Sequence, residues 1–243
     1  MKTVWRLFDQ IQIETKFACN KKCPMCPNSK YPPDGSEMTH SLYKKILGEL
    51  KELDFKGRIT LYLRNEPFLD KRIFNWIYEA REMFPDNRIN TSTNTEILTE
   101  EMLHNAFILG LTDLDMSCYT KEAEDKWGGY HDGVKINVHR FAPEHFDMNW
   151  FNNRGGYVGF GCNKVGEGIC YRPSIQMYVT SKGKCVLCCN DFLEDVVLGD
   201  LNEQTIWEVW DSDLYNDYRE KLYSHEAWRK TLKLCKDCNY TGW

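Results

Sequence analysis

Cysteine is the residue type here with the most chemistry in it, and its spacing is uneven. Three of the 11 cysteines fall together as Cys19-x3-Cys23-x2-Cys26, in the run CNKKCPMC. Three thiolates can hold three irons of a 4Fe–4S cluster, whose usual ligands are cysteine sulfurs. That leaves one iron open to a substrate or cofactor. The competing reading is a zinc site short of its fourth ligand. Cys162, Cys170, Cys185, Cys188, Cys189, Cys235 and Cys238 crowd the last third of the chain. Cys185-x2-Cys188 with Cys235-x2-Cys238 also makes an acceptable zinc-ribbon pattern, and hence a structural or binding module. Cys118 stands alone. An odd cysteine count leaves one over from any pure disulfide framework. The six histidines, at positions 40, 104, 131, 139, 145 and 225, show no H-E-x-x-H or comparable ligand spacing.

The rest of the composition bounds the setting. The chain has 243 residues, 42% hydrophobic and 28% charged, with a formal net charge of −5. That balance speaks against a general nucleic-acid footprint. No apolar run approaches the roughly 18 residues of a membrane span. MKTVWRLFDQ has no apolar core of the secretory type, so a cytoplasmic location is expected.

Elements that could position these thiols follow from periodicity. Ile11, Ile13, Thr15 and Phe17 alternate with polar residues and predict a first strand. Residues 19–36 read as a loop. Leu42, Ile46, Leu47, Leu50 and Leu53 share one helical face. Further strands are predicted at 59–63, 88–93, 113–117 and 134–139. Asp70 and Thr99 are placed to cap the intervening helices, and Gly110 to end the second of these. Strands alternating with helices imply a parallel sheet with its site at the strands' carboxyl ends. The Cys19–Cys26 loop would lie on that rim. The chain is too short for a closed eight-strand barrel plus the cysteine-rich third. The expectation is an α/β fold: a partial, possibly trimmed TIM-like (β/α)5-6 barrel over 1–156, and a small auxiliary domain over 157–243. Trp207, Trp210, Tyr215, Tyr218 and Leu222 fall on helical periods and are expected to pack the C-terminal helices.

CNKKCPMC, placed directly after the first strand, resembles the C-x3-C-x2-C signature of radical S-adenosylmethionine (SAM) enzymes. Met25 stands where that family usually has an aromatic residue facing the cofactor. YLRNEP (Tyr62–Pro67) resembles the GGEP segment after strand two, which implies that Asn65 and Glu66 meet the SAM amino group. STNTEIL (Ser92–Leu98) resembles the TNG-x-x-L segment, which implies cofactor contacts for Ser92 and Asn94. Ser117 in LDMSC matches a serine near the SAM ribose or carboxylate. NNRGG (Asn152–Gly156) resembles an NRxG segment, with Arg154 able to pair with a carboxylate. The resemblance implies reductive cleavage of SAM at a 4Fe–4S cluster on Cys19, Cys23 and Cys26. The product is a 5′-deoxyadenosyl radical that takes a hydrogen atom from the substrate.

CYRPSIQMYVTSKGKCVLCCNDF (Cys170–Phe192) resembles the SPASM/twitch auxiliary domain. There a cysteine before R-P, a G-x4-C and a distant C-x2-C hold a second 4Fe–4S cluster. The corresponding residues are Cys170, Cys188, Cys235 and Cys238, which implies one auxiliary cluster. In size and cysteine spacing the chain is similar to twitch enzymes that oxidise an aminocyclitol alcohol. The implied reaction is two-electron oxidation of a polyhydroxylated small molecule, with an external one-electron reductant such as flavodoxin or ferredoxin as partner. Peptide modification and epimerisation are the alternatives. For epimerisation Cys118, after Ser117 on strand four, is the candidate hydrogen-atom donor, and Cys189 a second. Tyr62 and Arg64 end strand two and are candidate substrate contacts. His139 and Arg140 end strand five within reach of the pocket. Asn190 and Asp191 either bind substrate or cap a turn.

Overall fold

A computed structural model describes residues 6–129, 135–141, 152–159, 168–224 and 226–240. Cys162, His131, His145 and His225 lie outside them. The strands are β1 (Gln10–Ile13), β2 (Arg58–Thr60), β3 (Ile89–Thr93), β4 (Asp113–Cys118), β5 (Lys135–Arg140), β6 (Gln176–Val179), β7 (Lys184–Val186) and β8 (Val197–Asp200). They form one sheet in the order β5-β4-β3-β2-β1-β6-β7-β8. β1 to β5 run parallel in sequence order, as the partial barrel requires. β6 pairs parallel with β1 on its other side, and β7 and β8 follow antiparallel. The sixth parallel strand thus comes from the cysteine-rich third of the chain.

Helices α1 (His40–Glu52), α2 (Ile73–Met83), α3 (Glu100–Ile108) and α4 (Lys121–Trp127) alternate with the strands. Short α5 (Arg172–Ile175) and α6 (Ile206–Trp210) and longer α7 (Asp213–Ser224) belong to the C-terminal part. α1 begins where the Thr39 hydroxyl accepts from Leu42 N, and it buries Leu42, Ile46, Leu47 and Leu50. Thr99 caps α3 through Met102 N at 3.1 Å. A Thr99→Ala change removes that acceptor and is expected to cost about 1 kcal/mol, read as a lower urea midpoint. Gly110 follows α3 with φ +113°, and a Cβ there would meet Arg81 Cβ at 2.4 Å. The residue capping α2 is Arg72, not Asp70. Asp70 instead accepts from Arg72 N and from Trp76 Nε1, a turn that leads into the helix. β1 is shorter than its alternation predicts, because the chain leaves the sheet toward the cysteine loop. Lys16 then bridges to Glu37. Trp210, Tyr215 and Leu222 pack in the core as expected, whereas Trp207 is 42% exposed.

Strand alternation gives the sheet two unlike faces. Ile11, Ile59, Leu114, Met116 and Met177 join one core with the helices. The other face carries a polar ladder across four strands. Gln176 Nε2 donates to Gln10, Gln10 Nε2 to Thr60, and the Thr60 hydroxyl to Asn90. Ser92 and Ser117 lie on this polar face, nearer the carboxyl ends. Cys118 lies on the opposite face, wholly buried among the core residues.

Candidate active site

The loop after β1 brings Cys19, Cys23 and Cys26 to the carboxyl-terminal rim, where Glu66 N hydrogen-bonds Ala18 O at 2.7 Å. The three thiols share one small cavity of about 80 Å³ with Asn28, Tyr62, Asn65, Ser92, Ser117 and Tyr119. Burial, then the charge of Cys26, pushes the Cys23 thiol up to about 11. Burial also raises Cys19, against donation from Lys21 N and a long contact from Asn94 Nδ2 at 3.8 Å. Crowded, half-buried thiols resist ionisation together, and a bound cation reverses that preference. Among the described residues no three Cys, His, Asp or Glu groups close on a single ion. A four-iron cube is larger than one ion and needs its ligands further apart.

Two polar atoms in this cavity have no protein partner. Asn28 Oδ1 and Asn65 Nδ2 make no hydrogen bond, though the residues are 3% and 5% exposed. One is an acceptor and one a donor, which suits the ammonium and carboxylate of an amino-acid head group. Glu66 lies deeper. Its carboxylate accepts from Asn94 N at 2.7 Å, from the Thr93 hydroxyl at 3.0 Å and from Phe68 N at 3.2 Å. Burial pushes it up to about 7 despite these donors. A carboxyl whose folded pKa lies above its unfolded value favours folding at low pH and loses that contribution as pH rises. Between about pH 4.5 and 7 this is worth at most roughly 3 kcal/mol. The wild-type urea midpoint should fall across that window, and a Glu66→Gln variant should lack that part of the slope.

A larger cavity of about 630 Å³ adjoins the first, sharing Cys23 and Tyr119 and lined also by Lys22, Met25 and Phe141. The Tyr119 and Phe141 rings stack at 5.3 Å, and Lys21 sits over Tyr119 at 5.4 Å. The result is a flat surface with a cation at its edge, a chemistry that suits an aromatic ring. Tyr119, Phe141 and Asn28 were not singled out by sequence. The signals present were an aromatic directly after β4, another after β5, and an amide two residues past the third cysteine.

Arg154 has φ +51°, followed by Gly155 at +69° and Gly156 at +91°. A Cβ on Gly155 would meet Leu234 Cδ1 at 2.6 Å, and one on Gly156 would meet Asp237 Cβ at 2.8 Å. This tight turn holds the Arg154 charge near the Tyr62 and Tyr119 phenols, both of which burial raises. The Ser117 side chain lies beside the Tyr119 phenol.

Three expected site residues do other work. The Arg64 guanidinium is consumed by Glu14 (Nη2–Oε2 2.7 Å), by Phe192 O at 2.7 Å and by Glu194 at 3.1 Å. It ties β1 and the β2 loop to the C-terminal part, with four of its five N–H groups engaged in these contacts, while it also lines the small cavity. Asp191 accepts from Asp195 N at 2.8 Å and Val196 N at 3.0 Å, so it caps a turn. Cys118 lines neither cavity, and a hydrogen-atom donor must reach its substrate. His139 and Arg140 lie on exposed β5, with the His139 ring stacked on Phe141.

The second set of thiols lies close enough together for its members to influence one another. Burial raises Cys170, Cys188 and Cys235. Cys188 also feels Cys235 and Cys238, Cys235 feels Cys170 and Cys238, and Cys170 feels Cys238. Asn190, 1% exposed, turns toward this set and not toward the rim: its Nδ2 lies 3.8 Å from Cys238 Sγ. Cys185 is apart from them. It lies on β7 in the main core, where its charged neighbours are Asp200, Lys45 and Glu49. The zinc-ribbon set that included it is therefore not assembled. Cys189 packs beside Cys188 against Leu63, Tyr178 and Val186.

Known proteins bear on this arrangement. Residues 170–239 match SPASM, an iron–sulfur cluster-binding domain. The chain is 31% identical over 240 residues to the S-adenosyl-L-methionine-dependent 2-deoxy-scyllo-inosamine dehydrogenase of Niallia circulans, covering 96% of this chain and 94% of that protein. Its structure is similar to that of BtrN in complex with AdoMet and 2-DOIA, with a TM-score of 0.84 and 29% identity over 98% of this chain and 95% of the other. The structure of native anSMEcpe with bound AdoMet and Cp18Cys peptide shares the fold, with a TM-score of 0.60 and 13% identity over 95% of this chain and 88% of that one. Spaced thiols at the sheet rim, a second thiol set in the C-terminal part and relatedness along nearly the whole chain agree: this protein belongs to the radical SAM enzymes that carry a SPASM iron–sulfur domain.

Proposed function

We propose that this chain oxidises an alcohol of a polyhydroxylated small molecule to a carbonyl, in a SAM-dependent dehydrogenation. Similarity along 96% of the chain to a dehydrogenase of that kind carries the reading. Enzymes of this family work with SAM and 4Fe–4S clusters. In our reading Cys19, Cys23 and Cys26 hold the first cluster, and Cys170, Cys188, Cys235 and Cys238 the auxiliary one. When bound, SAM and the first cluster supply a radical that abstracts hydrogen.

The protein's part is to hold, orient and exclude. Asn65 would donate to the SAM carboxylate and Asn28 would accept from its ammonium. Asn94, its Nδ2 fixed on Asn20 at 2.7 Å, orders the loop around Cys19. Glu66 locks the ends of the β2 and β3 loops together, so the rim keeps its shape. Met25, Tyr119 and Phe141 cover the adenine, with Ser92 and Ser117 at the ribose. Arg154 and Tyr62 face the space between the two thiol sets, where a polyol hydroxyl finds a cation and a phenol. A one-electron protein reductant is the external partner. The division at 156/157 separates the barrel segment from the auxiliary segment.

Anaerobic reconstitution followed by iron, sulfide and zinc counts and a SAM-cleavage assay tests this reading. Two clusters' worth of iron, with 5′-deoxyadenosine formed faster on adding aminocyclitols than peptides, is the expected result. Zinc in place of iron, or stimulation by peptides alone, overturns it.

A further inference from the structure

Two cations, Arg172 and Arg229, lie by the C-terminal thiols, and one carboxyl, Asp191, lies near Cys235. Arg172 lies two residues after Cys170, with its guanidinium 3.6 Å from the centre of the Tyr240 ring. Among the described residues it makes no ion pair with a carboxylate. The titratable groups it faces are Cys189, Tyr178, Cys188 and Tyr240. Its backbone N–H lies beside the Cys170 thiol. From the other side Asn190 approaches Cys238 Sγ at 3.8 Å, and Asn190 is 1% exposed. Nearby Arg229 is buried too, and it donates to the carbonyls of Gly168, Cys238 and Tyr240. A half-buried cation without a carboxylate, and a buried amide aimed at sulfur, need a reason.

A four-iron cube on four thiolates supplies the missing anion. Its reduction adds one electron, with no bond made or broken and no proton taken up. That added charge interacts more strongly with a fixed cation and with N–H···S dipoles than the oxidised form does. Net charge, hydrogen bonds to sulfur and exposure are the levers that set such potentials.

We propose that Arg172 and Asn190 are positioning residues that raise the reduction potential of the iron–sulfur group on Cys170, Cys188, Cys235 and Cys238. This rests on the ligand set proposed above. A higher potential makes that group the better acceptor for the electron that an alcohol oxidation releases. It also gives Arg172 a role that no protein carboxylate could fill, since a carboxylate beside the cube would act in the opposite direction.

The test is a redox titration of the full-length reconstituted protein, followed by electron paramagnetic resonance. The signal to follow is the one that added SAM leaves unchanged, because the fully ligated group has no open iron. Arg172→Gln should keep wild-type iron and sulfide. At a fixed poise it should show at least a tenfold lower reduced-to-oxidised ratio, about 59 mV for a one-electron couple. Arg172→Lys, which keeps the charge but not the planar stack on Tyr240, should restore part of the shift. Asn190→Ala should move the potential the same way by less. An unchanged potential in Arg172→Gln with full iron overturns the proposal and leaves the ligand assignment standing. Loss of iron from Arg172→Gln and Arg172→Lys alike overturns it too, by making Arg172 a support for the loop. Full iron and an unaltered signal in Cys188→Ala and Cys235→Ala would remove the ligand assignment itself, and the proposal with it.

Discussion

Cys23→Ala should abolish SAM cleavage. The loss should exceed the roughly 10–100-fold that removal of an outer partner of a metal ligand costs, because here a direct ligand disappears. The fold should survive. Cys23 is partly exposed in a surface loop, and its side chain is no part of the main core. Circular dichroism and a urea midpoint close to wild type, with no 5′-deoxyadenosine formed on reduction, would be the paired readout. Cleavage that persists would remove the first cluster from these three thiols. Cys118→Ala is the informative contrast. Its sulfur is wholly buried in the core. That change should lower stability modestly and leave cleavage and the product distribution as they were.

The largest effect on stability should come from Arg64→Met. The ion pair it breaks is nearly dry, with the two side chains 3% and 0% exposed. Glu14 would keep only backbone donors, Arg64 N and Ser181 N, each at 3.2 Å. Removing one partner of a buried pair costs about 3–5 kcal/mol, because the other charge is left behind. The Arg64 stack on the Phe17 ring, at 4.3 Å, is lost as well. At roughly 2–4 °C per kcal/mol for a chain of this size, the anaerobic thermal midpoint should drop by about 6–20 °C. A change within 2 °C would mean that the carboxylate finds water or a new donor. Glu14→Gln should cost less, since an amide leaves no uncompensated anion.

Much of this was legible because it is written in local spacing. The Cys19, Cys23 and Cys26 interval, the Thr99 cap and the alternation of β4 need no knowledge of distant residues. That alternation also contained the correction for Cys118. Leu114, Met116 and Cys118 share a parity and face the helices, while Ser117 faces the cavity. Arg64 was illegible for the opposite reason. Its partner Glu14 lies 50 residues away and its other acceptors about 130 residues away. A lone arginine near a family motif looks like a ligand contact alone until its distant partners are seen. Asn190 and Asp191 are adjacent in sequence yet point to different tasks, one at sulfur and one at backbone. The place of β6 could not be read either, because no periodicity specifies which strand edge it will choose.

That choice has a consequence for how the chain is made. Gln10 to Ile13 pair with Gln176 to Val179, across most of the polypeptide's length. While the chain is being synthesised, β1 has β2 on one side and an open row of amides and carbonyls on the other. Contacts of such long sequence separation form slowly, and open edges recruit other strands in the meantime. A truncation ending at residue 156 should therefore collect as aggregate, even though it contains every element of the five-stranded parallel unit. The auxiliary segment acts as the built-in stop on that edge, so the first strand has no safe resting state until translation has reached residues near the second group of thiols.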